Sequence, residues 1–297
     1  MSVLVLGANG LVGSSLVRTC LDRGMAVSGT YHTDQPAFDV DLFELDIRDT
    51  QRVRAVIEQV EPDAVVNCAA YTDVDGCEEN PELARGVNAD APGVLAEECA
   101  ERGLSFVHLS TDYVFDGEAE EPYTEADEPN PIQVYGETKL EGERRVLEAH
   151  PEAIVCRLSF VWGRHGATGD LEGFPAWVLG RAQSGEEVPL FTDQKVTPTR
   201  AGDASEVVLE LLECDVEGLF HVASQDCVTP YEFGRLVLEE KEPSTTELLE
   251  KSLLEDVERA APRPRRTCLS TDSVATCLDR DRPTVEAAVS TVLSTEN

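Results

Sequence analysis

A chain of 297 residues with 41% apolar content can bury a substantial core, as one large domain or two intimately joined ones, and is not a disordered polymer. Its 58 acidic residues against 24 basic ones leave a net charge of −34, spread along the chain, which repels nucleic acid and anionic membrane surfaces. The same acidity, with only four lysines, is the composition of a salt-adapted protein whose self-repulsion is screened by dissolved ions.

The first apolar run, Ser2-Val3-Leu4-Val5-Leu6, suits a buried parallel strand. It is too short for a secretory signal and lacks a basic leader, and no segment approaches roughly 18 apolar residues, so the expected location is cytoplasmic. The strand runs into Gly7-Ala8-Asn9-Gly10-Leu11-Val12-Gly13, after which Leu16, Val17, Cys20 and Leu21 recur with helical spacing. Strand, glycine turn and helix together predict a dinucleotide site. Glycine lets the backbone turn sharply and approach a pyrophosphate, which rests on the unpaired N–H groups of the helix N-terminus. Gly7, Asn9, Gly10, Leu11, Val12 and Gly13 are the candidate contacts, in GxxGxxG spacing.

Residues 27–30 form the second predicted strand. An acid at its end would bind the ribose hydroxyls of NAD, but Gly29-Thr30-Tyr31-His32-Thr33 carries none and Asp34 comes late. The expected coenzyme is therefore NADPH, with Thr30 or His32 near the 2′-phosphate and NADH as the alternative. A third strand at 43–45, a helix at 52–60, a strand at 64–67, a long helix at 81–102 and a strand at 105–109 follow. Next come a helix at 135–149 and a strand at 154–158. This alternation predicts a parallel sheet covered on both faces. Beyond residue 160 the pattern loosens, with helices at 177–182, 203–212, 230–239 and 283–293.

Tyr135 and Lys139 are four residues apart on the helix at 135–149, hence on one face. An ammonium beside a phenol is expected to lower the phenol pKa from about 10, giving a proton donor for reversible carbonyl reduction. Nine cysteines, an odd number without CxxC spacing, predict reduced thiols and no disulfide framework. Cys20, Cys68, Cys99 and Cys156 lie in apolar segments and read as core. The five histidines show no metal-ligand spacing, so no metal site is expected.

Four strings occur in the order found in extended short-chain dehydrogenases/reductases: residues 7–13, 67–72, 110–117 and Tyr135-Gly136-Glu137-Thr138-Lys139. Within that superfamily, Ser110 to Gly117, Thr192 to Thr199 and Thr72-Asp73-Val74-Asp75 resemble the dTDP-4-dehydrorhamnose reductases, and the similarity weakens beyond residue 225. The resemblance implies an α/β, doubly wound (Rossmann) sheet over residues 1–160, also receiving 196–225. A smaller, partly interleaved substrate-binding region would span 161–195 and 226–297.

By role, the resemblance implies that Tyr135 protonates the C4 oxygen of the sugar, Lys139 holds the nicotinamide ribose and tunes Tyr135, and Thr111 hydrogen-bonds the carbonyl. Ser110 is the alternative to Thr111. Ala69, Ala70 and Tyr71 would line the nicotinamide side, and Asp46 and Ile47 would meet the adenine. Asp112 and Tyr113, with Val74, Trp162 and Arg200, are candidates around the nucleotide-linked sugar.

The implied activity is NAD(P)H-dependent reduction of the 4-keto group of a nucleotide-linked 6-deoxy sugar, with a homodimer as an allowed assembly. A 4,6-dehydratase would carry Thr-Asp-Glu, whereas Thr111-Asp112 is followed by Tyr113. Two alternatives stay open. A nucleotide-sugar epimerase shares the tyrosine, the lysine and the dinucleotide. A non-catalytic regulatory subunit of the methionine adenosyltransferase β type resembles the same family.

Overall fold

Seven parallel strands form the frame: β1 (Ser2–Leu6), β2 (Ala26–Tyr31), β3 (Leu42–Glu44), β4 (Ala64–Asn67), β5 (Ser105–Thr111), β6 (Ile154–Leu158) and β7 (Gly218–His221). Their order in the sheet is β7-β6-β5-β4-β1-β2-β3. The computed structural model describes residues 1–214 and 216–294. The central strands are short runs buried on both faces, as in β4, where all of Ala64-Val65-Val66-Asn67 is buried, whereas the edge strands β3 and β7 are mostly half-buried.

Helices cover both faces. On one side α1 (Leu11–Asp22) and α6 (Ala201–Glu213) enclose Val5, Val66, Val107 and Cys156; on the other α2 (Thr50–Val60), α3 (Ala91–Arg102) and α4 (Val134–Ala149) enclose Leu4, Val65, Phe106 and Val155. Strand order reverses between β1 and β4, which opens a crevice at their carboxyl ends.

The chemistry of the helix ends follows the sequence. Asp49 caps α2 by accepting from the Arg52 N–H at 3.0 Å, and Gly103 ends α3 with φ +64. The predicted helix at 81–102 has three parts, Pro81–Arg85, a wide π-type turn Gly86–Asp90, and α3. Pro92 explains the wide turn. Its ring has no N–H and would strike the carbonyl four residues earlier, that of Asn88. Asn88 then serves two neighbours. Its side chain accepts from the Tyr71 N–H (2.8 Å) and donates to the Tyr71 carbonyl (3.0 Å), and its carbonyl lies where a Cβ on Gly142 of α4 would come within 2.1 Å.

The remaining helices, α5 (Phe174–Gln183), α7 (Pro230–Lys241) and α8 (Val285–Leu293), gather a third core of Trp162, Val178, Leu190, Phe233, Val237 and Val289. Two features there differ from expectation. Val188–Phe191 and Leu249–Ser252 pair in parallel as a separate ribbon, and β7 joins the main sheet; neither has the long apolar run that marks a strand in sequence.

Cys227 and Cys268 form a disulfide, Cα to Cα 5.5 Å, against the expectation of thiols throughout. Odd number and missing CxxC spacing say nothing about partners 41 residues apart, which here meet because Val196 bridges to Val228 and Lys195 to Arg266. Cys20, Cys99 and Cys156 are buried thiols and Cys68 a partly buried one. Burial pushes their pKa values up, to about 11 for Cys20 and about 12 for the others.

Candidate active site

The turn after β1 is built around two glycines that tolerate no side chain. Gly7 has φ +81, and a Cβ there would come within 2.9 Å of the Ala69 nitrogen; a Cβ on Gly13 would come within 2.1 Å of the Gly7 carbonyl oxygen. At Gly10, the N-cap of α1, a Cβ would meet only the Gly7 carbonyl, at 3.5 Å. No side chain caps α1 and no acid occupies its first turn. The bare helix end, its N–H groups and the absence of a competing carboxylate fit a dinucleotide pyrophosphate.

Chain from far downstream braces this turn. His165 Nδ1 accepts from the Ala167 (3.3 Å) and Thr168 (3.4 Å) N–H groups, so its Nε2–H donates to the Asn9 carbonyl at 3.1 Å. The Gly166 N–H donates to Ser14 Oγ (3.0 Å), and Ser15 Oγ donates to the Arg164 carbonyl (3.3 Å).

A cavity of about 450 Å³ opens in front of the turn and brings together Gly10, Leu11, Val12, Gly13, Ala70, Val74, Thr111, Asp112, Tyr113, Tyr135 and Lys139. A groove of about 560 Å³ at the opposite end of β1 and β2 is larger, but its only ionisable side chains are Asp39 and Asp41. The chemistry is concentrated in the smaller cavity.

Tyr135 and Lys139 project from α4. The Tyr135 ring meets Tyr113 edge to face, with centroids 6.1 Å apart. Lys139 is only 2% exposed; Nζ donates to the Leu109 carbonyl at 2.6 Å and lies 3.4 Å from His108 Nε2. The expected acidification of Tyr135 by Lys139 is overturned. Burial raises the Tyr135 pKa, and the nearby Thr111 hydroxyl, not the lysine, is what pulls it back. Burial also depresses Lys139, to about 8. At both groups the loss of solvation outweighs the neighbours that would favour ionisation.

Thr111 ends β5. Its hydroxyl accepts from the Tyr113 N–H and donates to Asp112, each at 3.1 Å. Asp112 is no surface turn residue. It is 3% exposed and also accepts from Ser159 (2.8 Å) and Thr267, with burial pushing its pKa up to about 6 despite these bonds. Ser110 also borders the cavity, but its hydroxyl hydrogen is committed to Glu143, which is paired with Arg157 at 2.7 Å. The geometry therefore favours Thr111 over Ser110.

Other candidates lie elsewhere. Thr30 is 1% exposed, and its hydroxyl accepts from the Gly7 N–H at 3.2 Å, so it holds the glycine turn from behind. His32 is exposed, 3.8 Å from Asp46, whose carboxylate accepts from Arg48 Nε at 2.9 Å. That guanidinium keeps Asp46 below the ordinary carboxylate range and stands beside His32, a neighbour no local reading of residues 29–34 reveals. Ile47 is packed in the core, Ala69 donates its N–H to Asn67 Oδ1 (3.2 Å), and the Tyr71 backbone is held by Asn88.

Trp162 is 1% exposed and packs on Phe233, centroids 5.4 Å apart; it does not line the cavity. Arg200, paired with Asp203 at 2.9 Å, lines a different depression behind α1 with Arg18 and Arg164. The aromatic wall of the cavity is instead Phe160, whose φ of +46 turns the chain at the end of β6. Cys68, Thr72, Leu109, Leu158 and Val161 are the other lining residues that sequence reasoning did not assign to the site.

The chain is 51% identical, over 96% of its length and 95% of the relative's, to a probable low-salt glycan biosynthesis reductase of Haloferax volcanii. A crystal structure of a dTDP-4-dehydrorhamnose reductase from Clostridium acetobutylicum superposes with a TM-score of 0.88 at 30% identity, covering 99% of both chains. Another, from Bacillus anthracis in complex with NADP, gives 0.85 at 26% identity over 98% of this chain and 99% of that one. The family model described as the RmlD substrate binding domain matches residues 1–297, and the chain belongs to that family.

Proposed function

We propose that the protein reduces the 4-keto group of a nucleotide-linked 6-deoxy sugar, of the dTDP-4-dehydrorhamnose type, using NADPH in preference to NADH. The reading is carried by one observation: Thr111, Tyr135 and Lys139 converge with the glycine turn on a single cavity at the carboxyl ends of the strands. A reduced nicotinamide bound there supplies the hydride. Burial keeps the Tyr135 phenol protonated, so the group that must give a proton to the carbonyl oxygen holds one. Thr111 would turn its one hydroxyl hydrogen from Asp112 to the substrate carbonyl, orienting it and stabilising charge that develops on its oxygen, while the hydroxyl oxygen stays held by the Tyr113 N–H. Lys139 holds the coenzyme ribose. Val74, Asp112, Tyr113 and Phe160 form the sugar side, and residues 161–195 with 226–297 make up the region that covers it.

Arg48 supplies a guanidinium and His32 a ring nitrogen beside the ribose end of the site for a 2′-phosphate, and the NADP-bound relative from Bacillus anthracis supports that preference. The two related reductases and the Haloferax volcanii relative support reduction over epimerisation. A salt-adapted, cytoplasmic enzyme, active as a homodimer, completes the proposal; no helix among the described residues is long and apolar enough to cross a membrane.

The test mixes the protein with NADPH and dTDP-4-dehydrorhamnose and follows loss of the reduced-nicotinamide absorbance. Stoichiometric oxidation is expected. Tyr135→Phe should lower kcat by roughly 100- to 10,000-fold with NADPH affinity nearly unchanged, because it removes one proton and little contact area. Near-native turnover in that variant would sink the assignment.

A further inference from the structure

Asn67, His108 and Lys139 form a buried chain behind the cavity. Register pairs Asn67 of β4 directly with His108 of β5, and these three side chains are 0%, 0% and 2% exposed. Asn67 Oδ1 accepts from the Ala69 N–H at 3.2 Å, which turns the amide NH₂ toward His108 Nδ1, 3.1 Å away. Nδ1 is therefore the acceptor and the imidazole hydrogen sits on Nε2. That hydrogen faces Lys139 Nζ at 3.4 Å.

An ammonium has three hydrogens and no lone pair, so it would meet this N–H donor to donor. A neutral amine can accept from His108 Nε2 while donating to the Leu109 carbonyl at 2.6 Å. The other imidazole tautomer offers no escape. It would set Nδ1–H against the Asn67 amide, and rotating that amide would break its bond to the Ala69 N–H.

We infer that His108 is a positioning residue that, beside burial, biases Lys139 toward the neutral amine in the coenzyme-free protein, with Asn67 fixing the tautomer that does so. The inference deepens the proposed function by naming a group that tunes the charge on Lys139, and it rests on that reading for its catalytic meaning. The other groups facing Lys139 act in mixed directions. The Cys68 thiol at the end of β4 and Glu143, one turn along α4, favour the ammonium, but Glu143 is already paired with Arg157 of β6. Tyr135 is protonated and adds no charge. His108 itself is held well below its ordinary range, chiefly by burial, so it does not compete as a cation.

The chain has four lysines, so their ε-methylene carbons can be followed individually by NMR during a pH titration. One should titrate at least about one pH unit below the other three and vanish in Lys139→Met. In His108→Leu and in His108→Gln its midpoint should rise by about one pH unit, a tenfold shift in the protonation equilibrium. An unchanged midpoint in a folded variant overturns the inference. A second measurement needs no variant: imidazole ¹⁵N shifts of the wild-type protein should show His108 protonated at Nε2, and a proton on Nδ1 overturns it equally. Neither arm involves turnover, so failure of the keto-sugar assay would be recognised separately.

Discussion

Asp112 shows how far one side chain's environment reaches. Its raised pKa means the folded state binds a proton more tightly than the unfolded chain does. The associated stability is full below the ordinary carboxylate value of 3.8 and is lost as pH rises through about 6. The shift corresponds to an order-of-magnitude cost of about 3 kcal/mol at neutral pH. Asp112→Asn should therefore unfold with a flatter pH dependence between pH 4 and 7 than the wild type, as read by denaturant melts at fixed salt. Parallel curves would mean that the carboxylate is already solvated. That Tyr135, Lys139 and Thr111 would share one cavity was legible at this scale, the first two from their four-residue spacing and Thr111 from the family resemblance of residues 110–117. Their electrostatics were not. Four-residue spacing brings a phenol and an amine onto one face, but only the fold reveals that the amine is buried and the phenol half-buried. Trp162 misled for a related reason: the backbone reverses at Phe160, φ +46, and no periodicity anticipates that turn.

Among the elements, the packing of α4 against the wide turn before α3 sets up a contrast between two helical glycines. Replacing glycine by alanine inside a helix gains about 1 kcal/mol in propensity. At Gly180 of α5, where an added Cβ meets nothing within 4 Å, that gain should appear in full as a higher melting temperature. At Gly142 the added carbon would sit 2.1 Å from the Asn88 carbonyl, a clash that must displace backbone and costs about 1–3 kcal/mol. Gly142→Ala should be destabilised despite its better propensity, and equal melting temperatures for the two variants would refute this contrast. Strands β1, β4 and β6 and helix α4 were readable within a residue, as continuous apolar runs and caps require. The short strand β7 and the ribbon at 188–191 were not, because their pairing partners are supplied by distant chain.

For the whole molecule, repulsion among like charges outweighs the attraction of individual pairs. Local ion pairs do exist, as where Arg23 of α1 approaches Glu206, Glu210 and Glu213 of α6, and salt weakens these. Exposed pairs contribute roughly 0–1 kcal/mol each, whereas a net charge of −34 repels itself everywhere. Raising KCl from 0.1 M to 1 M shortens the screening length from about 10 Å to about 3 Å. The melting temperature should climb across that series, and a flat or falling trend would remove salt adaptation as the reason for the composition. Composition alone raises this expectation, since net charge needs no fold to be counted. The disulfide between Cys227 and Cys268 was hidden for the opposite reason, being a property of proximity.

The brace that His165 places on the Asn9 carbonyl, with Gly166 on Ser14, means that the nucleotide-cradling turn is finished by chain more than 150 residues downstream. The amino-terminal half is thus no portable module. Cut free after β6, it would lose the buttress that presses the loop into shape and also α6, which covers one face of its sheet, so the glycine turn and the downstream chain are mechanically one piece.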